Sequence, residues 1–562
     1  MSFATFTPEA QFTLAELEAR FPPRDLPAGA SVTRFGPSPT GSMHIGGLYA
    51  ALVSRRVAHQ SGGVFFLRIE DTDKKREVEG ATGLIIAALA AFGLSPDEGE
   101  VAVDHELGSY GPYQQSERKP IYQSCVAVLL EAGHAYPCFA EAEELQALRE
   151  QQAKRKVPPG YYGNWAIWRT KSEADVAEAL AAGKPFVIRL RSPDGQPERI
   201  KLIDAIRGEL DVPPNSQDVV LLKSDGMPTY HLAHVVDDHF MRTTDVVRGH
   251  EWLASYPMHA QLFGLLGWEP PRFAHISPIE KVDGASRRKL SKRSDPEASV
   301  SYYMETGYPL DAVIEYLLTL ADGRFEAWRA EHPDLPHTEF AIELAHMSRS
   351  GALFDLAKLD SISRELVGRL NAGAIYDKAL AWAAEYAPDF AARFGGDPAY
   401  ARAILDIERH GERPRKDIVR WSDLPADVGY FFDEPYAALV PEAQAALAAI
   451  QPGAPEGMLA AIAQAYDPAL DRDGWLEWLR ALGLTYGYAP NVKAFKAAPD
   501  QFRGHFGDLA GVLRVILAGR RNTPDLHEVM QVLGKARVTA RLAAAAGWSA
   551  AQAPSPPLLP SC

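Results

Sequence analysis

The sequence predicts an α/β protein: a doubly wound parallel sheet carrying an α+β insertion, followed by all-α domains. Three observations lead there. First, β-like runs alternate with helical periodicity: Val32, Thr33 and Phe35 precede Leu48, Leu52, Val53 and Val57, and a second run precedes Leu84, Ile85, Leu89 and Phe92. Second, that second run, Val64-Phe-Phe-Leu-Arg-Ile-Glu70, is nearly all apolar, as a strand buried on both faces of a parallel sheet must be. Third, beyond Val300 the chain turns Ala/Leu-rich and helical, with Pro/Gly breaks near 394–398, 424–436 and 452–457.

A chain of 562 residues is too long for one core and implies about three to five domains. With 46% hydrophobic and 23% charged residues it has a globular composition, and no apolar run approaches the ~18 residues of a membrane span. The N-terminus lacks a basic region followed by an apolar core, so no signal peptide is expected. Three cysteines (Cys125, Cys138, Cys562) show neither metal-ligand nor disulfide spacing, which fits a reducing, cytoplasmic setting. The net charge of −15 argues only mildly against a nucleic-acid partner, because a local basic face outweighs the sum.

In chain order, residues 1–29 form an N-terminal extension with a short amphipathic segment (Phe12, Leu14, Leu17) and a Pro-rich linker. Residues 30–111 are the first half of the α/β domain. Within it, Ser31–Gly47 passes from strand through a Pro/Gly-rich turn into a helix starting near His44. Free amides and the helix dipole at such a turn make an anion site. Gly46 and Gly47 leave room for a flat base against the first helical turn. Residues 112–228 carry two helical stretches, Ile121–Ala132 and Glu141–Ala153, and strands at Phe186–Leu190 and Val219–Leu222; they form the insertion. The α/β pattern resumes over 229–283 with Tyr230–Val236, Thr244–Val247 and a helix at Pro257–Leu266. Residues 284–375 open with a loop crowded by Arg287, Arg288, Lys289, Lys292 and Arg293; 376–548 are helical, and 549–562 form a disordered tail.

His44, at the helix start, can donate to a phosphate oxygen whose charge grows in phosphoryl transfer, or be an ordinary surface histidine. The cation loop is its natural opposite jaw: Lys289 and Lys292 can close over a triphosphate. A solvated surface loop is the plainer alternative, but Leu290 and Ser291 inside the cluster count against it. Arg34 and Arg248 end two strands, where ligands of open sheets bind, and suit a dicarboxylic substrate. Glu70 can hold an α-ammonium, and Tyr230 offers a phenol at the same level; each is otherwise a strand-end residue in a structural ion pair.

The run Arg34-Phe-Gly-Pro-Ser-Pro-Thr-Gly-Ser-Met-His-Ile-Gly-Gly47 resembles the HIGH motif of class I aminoacyl-tRNA synthetases in its glutamyl form, and Lys289-Leu-Ser-Lys-Arg293 resembles the partner KMSKS motif. Arg68–Asp73, Gly111–Arg118, Leu222–His231, Val235–His239, Val247–Trp252, Gly351–Leu359 and Leu517–Gly534 resemble the same family in its order, over roughly residues 31–545. The resemblance implies a Rossmann-type catalytic domain, an acceptor-stem-binding insertion, a stem-contact region and a helical anticodon-binding region. It implies ATP-dependent activation of L-glutamate to glutamyl-adenylate, then transfer to the 3′-terminal adenosine of tRNA. By position, Arg34, Ser38, Glu70, Tyr230 and Arg248 would bind glutamate. His44, Gly46, Glu251, Trp252 and Lys292 would bind ATP, with Lys289 assisting on the phosphates and His44, Lys289 and Lys292 as the catalytic group. ATP would bring Mg²⁺, and the acceptor would be tRNA for glutamate, with tRNA for glutamine left open. No membrane association and a monomer are expected.

Two departures stand out. Some members hold zinc in the insertion through a cysteine cluster; Cys138-Phe139-Ala140 lacks the second cysteine, so no zinc and no other metal site is expected. Lys358–Ser363 lacks an aromatic and an asparagine often found there. Arg413, Arg415, Lys416, Lys493, Lys496, Arg520 and Arg521 are phosphate-contact candidates or solvated charges. The alternatives are a tRNA-modifying relative that activates glutamate, a nucleotidyltransferase on the same fold acting on no tRNA, and a catalytically dead tRNA-binding protein.

Overall fold

A computed structural model of the chain describes residues 3–284, 286–411, 414–450 and 454–548. The expected tail from Ser549 and the candidate cation Arg413 lie outside the described residues. The chain divides into two compact units, one of residues 1–303 and 313–356, the other of 304–312 and 357–562.

The first unit is built on β1 (Val32–Phe35), α1 (Ile45–Gln60), β2 (Val64–Leu67), α2 (Ala81–Ala91), β3 (Glu98–Ala102), β4 (His105–Leu107), β5 (Ile200–Asp204), β6 (Gly208–Val212), α3 (Tyr230–Phe240), β7 (Asp245–Gly249), α4 (Tyr256–Leu265) and β8 (Arg272–Ile276). The sheet runs β4-β3-β2-β1-β7-β8-β5-β6. Pairing is parallel from β3 through to β5, and β4 and β6 add antiparallel edges. Strand order reverses between β1 and β7, where Thr33 faces Asp245, and the crevice of an open α/β sheet opens at such a switch point. Three of four residues in β2 are buried, as its apolar run foretold, and all four of β1 are buried although Thr33 and Arg34 interrupt its apolar residues.

Three local expectations need correction. Tyr230–Val236 belongs to helix α3, so Tyr230 starts a helix and does not end a strand. α3 is buried nearly all round, and a short apolar run cannot be assigned to helix or strand by periodicity. The strand before Glu70 ends at Leu67, leaving Glu70 in the following turn. The cation-rich segment is a loop only in part: Ser286–Lys289 pairs antiparallel with Ile279–Asp283, which also pairs with Ala352–Leu353, and Lys292 and Arg293 lie in the turn beyond. Three cations after Ser286, with no apolar residue among the four, hide the alternation that marks a strand.

Residues 112–228 hold their own sheet of Ala135–Cys138, Val187–Leu190 and Val220–Leu222 beside helices Lys119–Glu131 and Ala142–Arg155. They also contribute β5 and β6 to the main sheet through Asp204 against Phe273. The N-terminal segment packs Phe6, Leu17 and Phe21 into the core of this unit.

The second unit is mainly helical, including Ala372–Tyr386, Pro398–Asp406, Asp433–Ala448, Arg472–Thr485, Phe506–Ala518 and Leu526–Ala546. Phe394, Trp421, Trp475 and Leu513 lie in its core. Pro441 sits inside the helix Asp433–Ala448, and Gly534 kinks the last helix at φ 77°, ψ 159°, a conformation reserved for glycine. Among the described residues no helix is long and apolar enough to cross a membrane.

Candidate active site

A cleft of about 1210 Å³ opens at the carboxyl ends of β1 and β7. It is lined by Arg34, Ser38, His44, Gly46, Glu70, Tyr230, Arg248, Glu251, Trp252 and Lys289, so ten of the eleven residues singled out from sequence meet there. Lys292 stands just outside: its ammonium donates to the Ser42 carbonyl in the turn before His44.

After β1 the chain turns through Gly41, at φ 113°, and enters α1 with His44 as its N-cap. His44 Nδ1 accepts from the Gly46 amide at 2.9 Å, which leaves the ring proton on Nε2. Nε2–H donates to the Leu290 carbonyl at 3.1 Å. Burial lowers the His44 pKa; the Leu290 carbonyl opposes, and the Lys289 and Lys292 charges lower it further. The site therefore presents a neutral imidazole with an Nε2–H donor at a helix N-terminus. A Cβ at residue 46 would stand 3.1 Å from His44 Nδ1, so the glycine keeps this cap open.

The cation hairpin reaches the same place from 245 residues further on. Leu290, only 2% exposed, anchors it, and its amide donates to the Ile279 carbonyl. Lys289 pairs with Glu251 at 3.2 Å on the rim. Behind it, buried Asp295 accepts from Arg288 at 2.5 and 2.9 Å and from the Ser291 amide at 3.0 Å. Tyr230 stacks on Trp252 with centroids 4.0 Å apart, forming an aromatic wall.

At the floor, Arg34 and Arg248 differ sharply. Arg34 Nε donates to Asp238 Oδ1 at 3.1 Å. Asp238 also accepts from Arg68 at 2.8 Å and from His234 at 2.6 Å. Burial alone would raise the Asp238 pKa, but Arg34, Arg68 and His234 hold it well below the carboxylate range. Arg68 donates to Glu70 at 2.9 Å; burial nevertheless pushes the Glu70 pKa up. Arg248 has no carboxylate hydrogen-bond partner: Nε donates to His275 Nε2 at 3.0 Å and Nη1 to His259 Nδ1 at 3.1 Å, and the guanidinium also interacts with the Tyr230 phenol. It is 4% exposed, Nη2 is buried with no hydrogen-bond partner, and burial lowers its pKa. A buried guanidinium with an unused donor and no carboxylate partner has the chemistry to take an anion.

The residue-by-residue reading of the sequence passed over Arg68, Asp238 and the four histidines 231, 234, 259 and 275, although three of these lie inside quoted motifs. The signal was present for Arg68, a charge within an otherwise apolar run that needs a buried partner, and weaker for Asp238, whose helix is rich in histidine and aspartate. Gln115 was also missed; it lines the cleft, donates to Asp237 at 2.8 Å, and its Oε1 is buried and unpartnered.

Among the described residues no cluster of three or more His, Cys, Asp or Glu is placed to hold a metal ion. Cys138 lies buried against the Tyr161 hydroxyl at 3.4 Å, in a small apolar cluster with Tyr136 and Leu148.

A turn into a helix N-terminus, a cation hairpin reaching it and a buried arginine without a carboxylate partner, gathered at the switch point of a parallel sheet, are the arrangement of a class I synthetase catalytic domain. Residues 31–353 match the family model described as tRNA synthetases class I (E and Q), catalytic domain, and residues 492–546 match an anticodon binding domain. A glutamate–tRNA ligase of Sorangium cellulosum is 45% identical, covering 94% of this chain and 97% of its own. One from Clostridium perfringens strain 13 is 44% identical over 95% and 97%. The crystal structure of a glutamate tRNA ligase from Elizabethkingia meningosepticum, in complex with its amino acid, superposes with a TM-score of 0.72 at 28% identity, covering 92% of this chain and 99% of that one. The chain belongs to the glutamate–tRNA ligase family of class I synthetases.

Proposed function

We propose that this protein activates L-glutamate with ATP and transfers it to the 3′-terminal adenosine of tRNA. The observation that carries the reading is Arg248, a buried guanidinium with a free Nη2 in the cleft that also holds the His44 turn and Lys289. Arg248 takes the substrate's side-chain carboxylate, while Glu70 holds the α-ammonium, with Arg34, Ser38 and Tyr230 completing the pocket. Glutamine would leave Arg248 without a counter-charge and is rejected for that reason.

In the first step an oxygen of the α-carboxylate attacks the α-phosphorus of ATP. A new P–O bond forms, the bond to the β-phosphate breaks, and pyrophosphate leaves with the electron pair. His44 donates through Nε2–H to the phosphate whose charge is growing, which requires exchange of its Leu290 contact for the nucleotide. Lys289 and Lys292 stabilise the leaving pyrophosphate; Glu251, Gly46 and Trp252 hold the nucleoside. The chain supplies no covalent nucleophile, so its contribution is position and charge. In the second step a ribose hydroxyl of the tRNA attacks the mixed-anhydride carbon and AMP departs. ATP carries Mg²⁺ as part of the substrate.

The acceptor is tRNA for glutamate, and charging of tRNA for glutamine is the finer question. Residues 112–228 bind the acceptor end, the helical region from 376 carries anticodon recognition, and the working form is a cytoplasmic monomer needing no zinc. A tRNA-modifying relative restricted to the catalytic half does not account for the match at 492–546. The test is glutamate-dependent exchange of pyrophosphate into ATP, with and without tRNA, followed by glutamate transfer to each purified tRNA. Exchange and 3′ transfer are expected; absence of transfer with both tRNAs overturns the reading.

A further inference from the structure

Three buried arginines surround the cleft floor, and only one lacks an acidic partner. Arg34 and Arg68 meet Asp238 and Glu70. Arg248, on β7, is held instead by histidines from three different elements: His275 of β8 at 3.0 Å, His259 of α4 at 3.1 Å and His234 of α3 at 3.4 Å. All three histidines are fully buried, and none of them lines the cleft. Phe273 closes the guanidinium's face, 4.6 Å from its ring centroid.

The outer bonds dictate how these rings face Arg248. His275 Nδ1 meets Asp204 Oδ2 at 2.6 Å, and His234 Nδ1 meets Asp238 Oδ2 at 2.6 Å; each carboxylate can only accept, so each ring carries its proton there. His259 Nε2 lies 3.1 Å from His231 Nδ1, and with its own Nδ1 accepting from Arg248 it is the donor of that pair. A lone pair thus faces the guanidinium at each inner nitrogen. Burial holds all three rings below the usual histidine range.

Neutral acceptors and carboxylates would both orient an arginine, with opposite consequences for a ligand. A carboxylate would cancel the charge, as at Arg34. Imidazole nitrogens use up Nε and Nη1 while leaving a net positive charge and the Nη2 donor for something else. We propose that His234, His259 and His275 are positioning residues that hold Arg248 as an uncancelled cation for the side-chain carboxylate of the amino-acid substrate. The proposal rests on the reading of Arg248 as the receptor for that carboxylate.

The test uses the full-length enzyme, with glutamate and ATP kinetics in pyrophosphate exchange. His259→Asn and His259→Asp have the same shape, and their δ oxygen stands where Nδ1 stood; they differ only in charge. His259→Asn is expected to keep the glutamate KM within about threefold of the parent, whereas His259→Asp raises it at least about 30-fold by pairing with Arg248. His259→Leu, which removes the acceptor, raises it at least about tenfold, and the ATP KM stays within about threefold throughout because the nucleotide contacts are elsewhere. Equal glutamate KM values for the Asn and Asp variants overturn the proposal. If His259→Asp does not fold, the Asn and Leu variants decide it, and equal values for those two overturn it likewise. Arg248→Ala separates the two levels. An unchanged glutamate KM in Arg248→Ala removes the receptor assignment itself. A large loss there, together with silent His259 variants, removes only the positioning role.

Discussion

Arg34 and Arg248 bring the same side chain to the same cleft, yet a neighbouring carboxylate decides what each can do. Asp238 cancels Arg34, and the histidines leave Arg248 charged. Arg248→Ala should therefore raise the glutamate KM by at least about 100-fold with little change for ATP, measured by pyrophosphate exchange. The same histidines make stability sensitive to mild acid. His234 is pushed down to about 3 and His231 to about 4 by burial, against an unfolded value near 6.5. Below pH 6.5 the unfolded chain binds protons that the folded chain refuses, so stability falls as pH drops towards 4. The loss is about 1.4 kcal/mol per pH unit for each of these histidines. Urea unfolding at pH 7, 6 and 5 should show this loss starting well above the carboxylate range. His231→Gln, which cannot titrate, should shrink the slope.

At the scale of elements, the reactive geometry depends on a hairpin reaching a helix start. The hydrogen bond from His44 to the Leu290 carbonyl joins the two halves of the proposed nucleotide site, and Lys289 is parked on Glu251. Asp295 gives the hairpin its shape by holding Arg288 and the Ser291 amide together. Asp295→Ala should lower kcat for pyrophosphate exchange by roughly tenfold or more while leaving the glutamate KM nearly unchanged, because the lysines act on charge that develops in the transition state. Lys292→Ala should slow adenylate formation far more than it weakens tRNA binding, read from single-turnover rates and filter binding. The hairpin could not be foreseen as strands, since Ser286, Arg287, Arg288 and Lys289 offer no apolar alternation. Its anchor could be, since Leu290 is an apolar residue stranded among cations.

At the scale of the molecule, the two units have separate cores. Phe394, buried in the helical core, contributes to the second unit alone; Phe394→Ala should cost about 3–5 kcal/mol there, seen as a lowered thermal transition, while the ATP KM is preserved. Of the candidate phosphate contacts in this unit, Arg415, Lys416 and Arg520 are paired with Asp417, Glu365 and Asp427. Lys493, Lys496 and Arg521 are exposed, so charge removal at these three is the more direct probe of tRNA affinity and its salt dependence.

The amino-acid order by itself determined the alternation of strands and helices around Ser31–Gly47, the helical second half, and the residue types that a nucleotide and a dicarboxylic acid require. These are legible because helix and strand periods, prolines and glycines act over a few residues. Only the tertiary structure decided that Tyr230 begins a helix, that β5 and β6 extend the main sheet from within residues 112–228, and that Asp238 pairs with Arg34 while Arg248 has no carboxylate partner. The reason is electrostatic and long-range. Asp238 stands 204 residues from Arg34, and His275 stands 27 from Arg248 on another strand. The use of a buried charge depends on which partner folding places beside it.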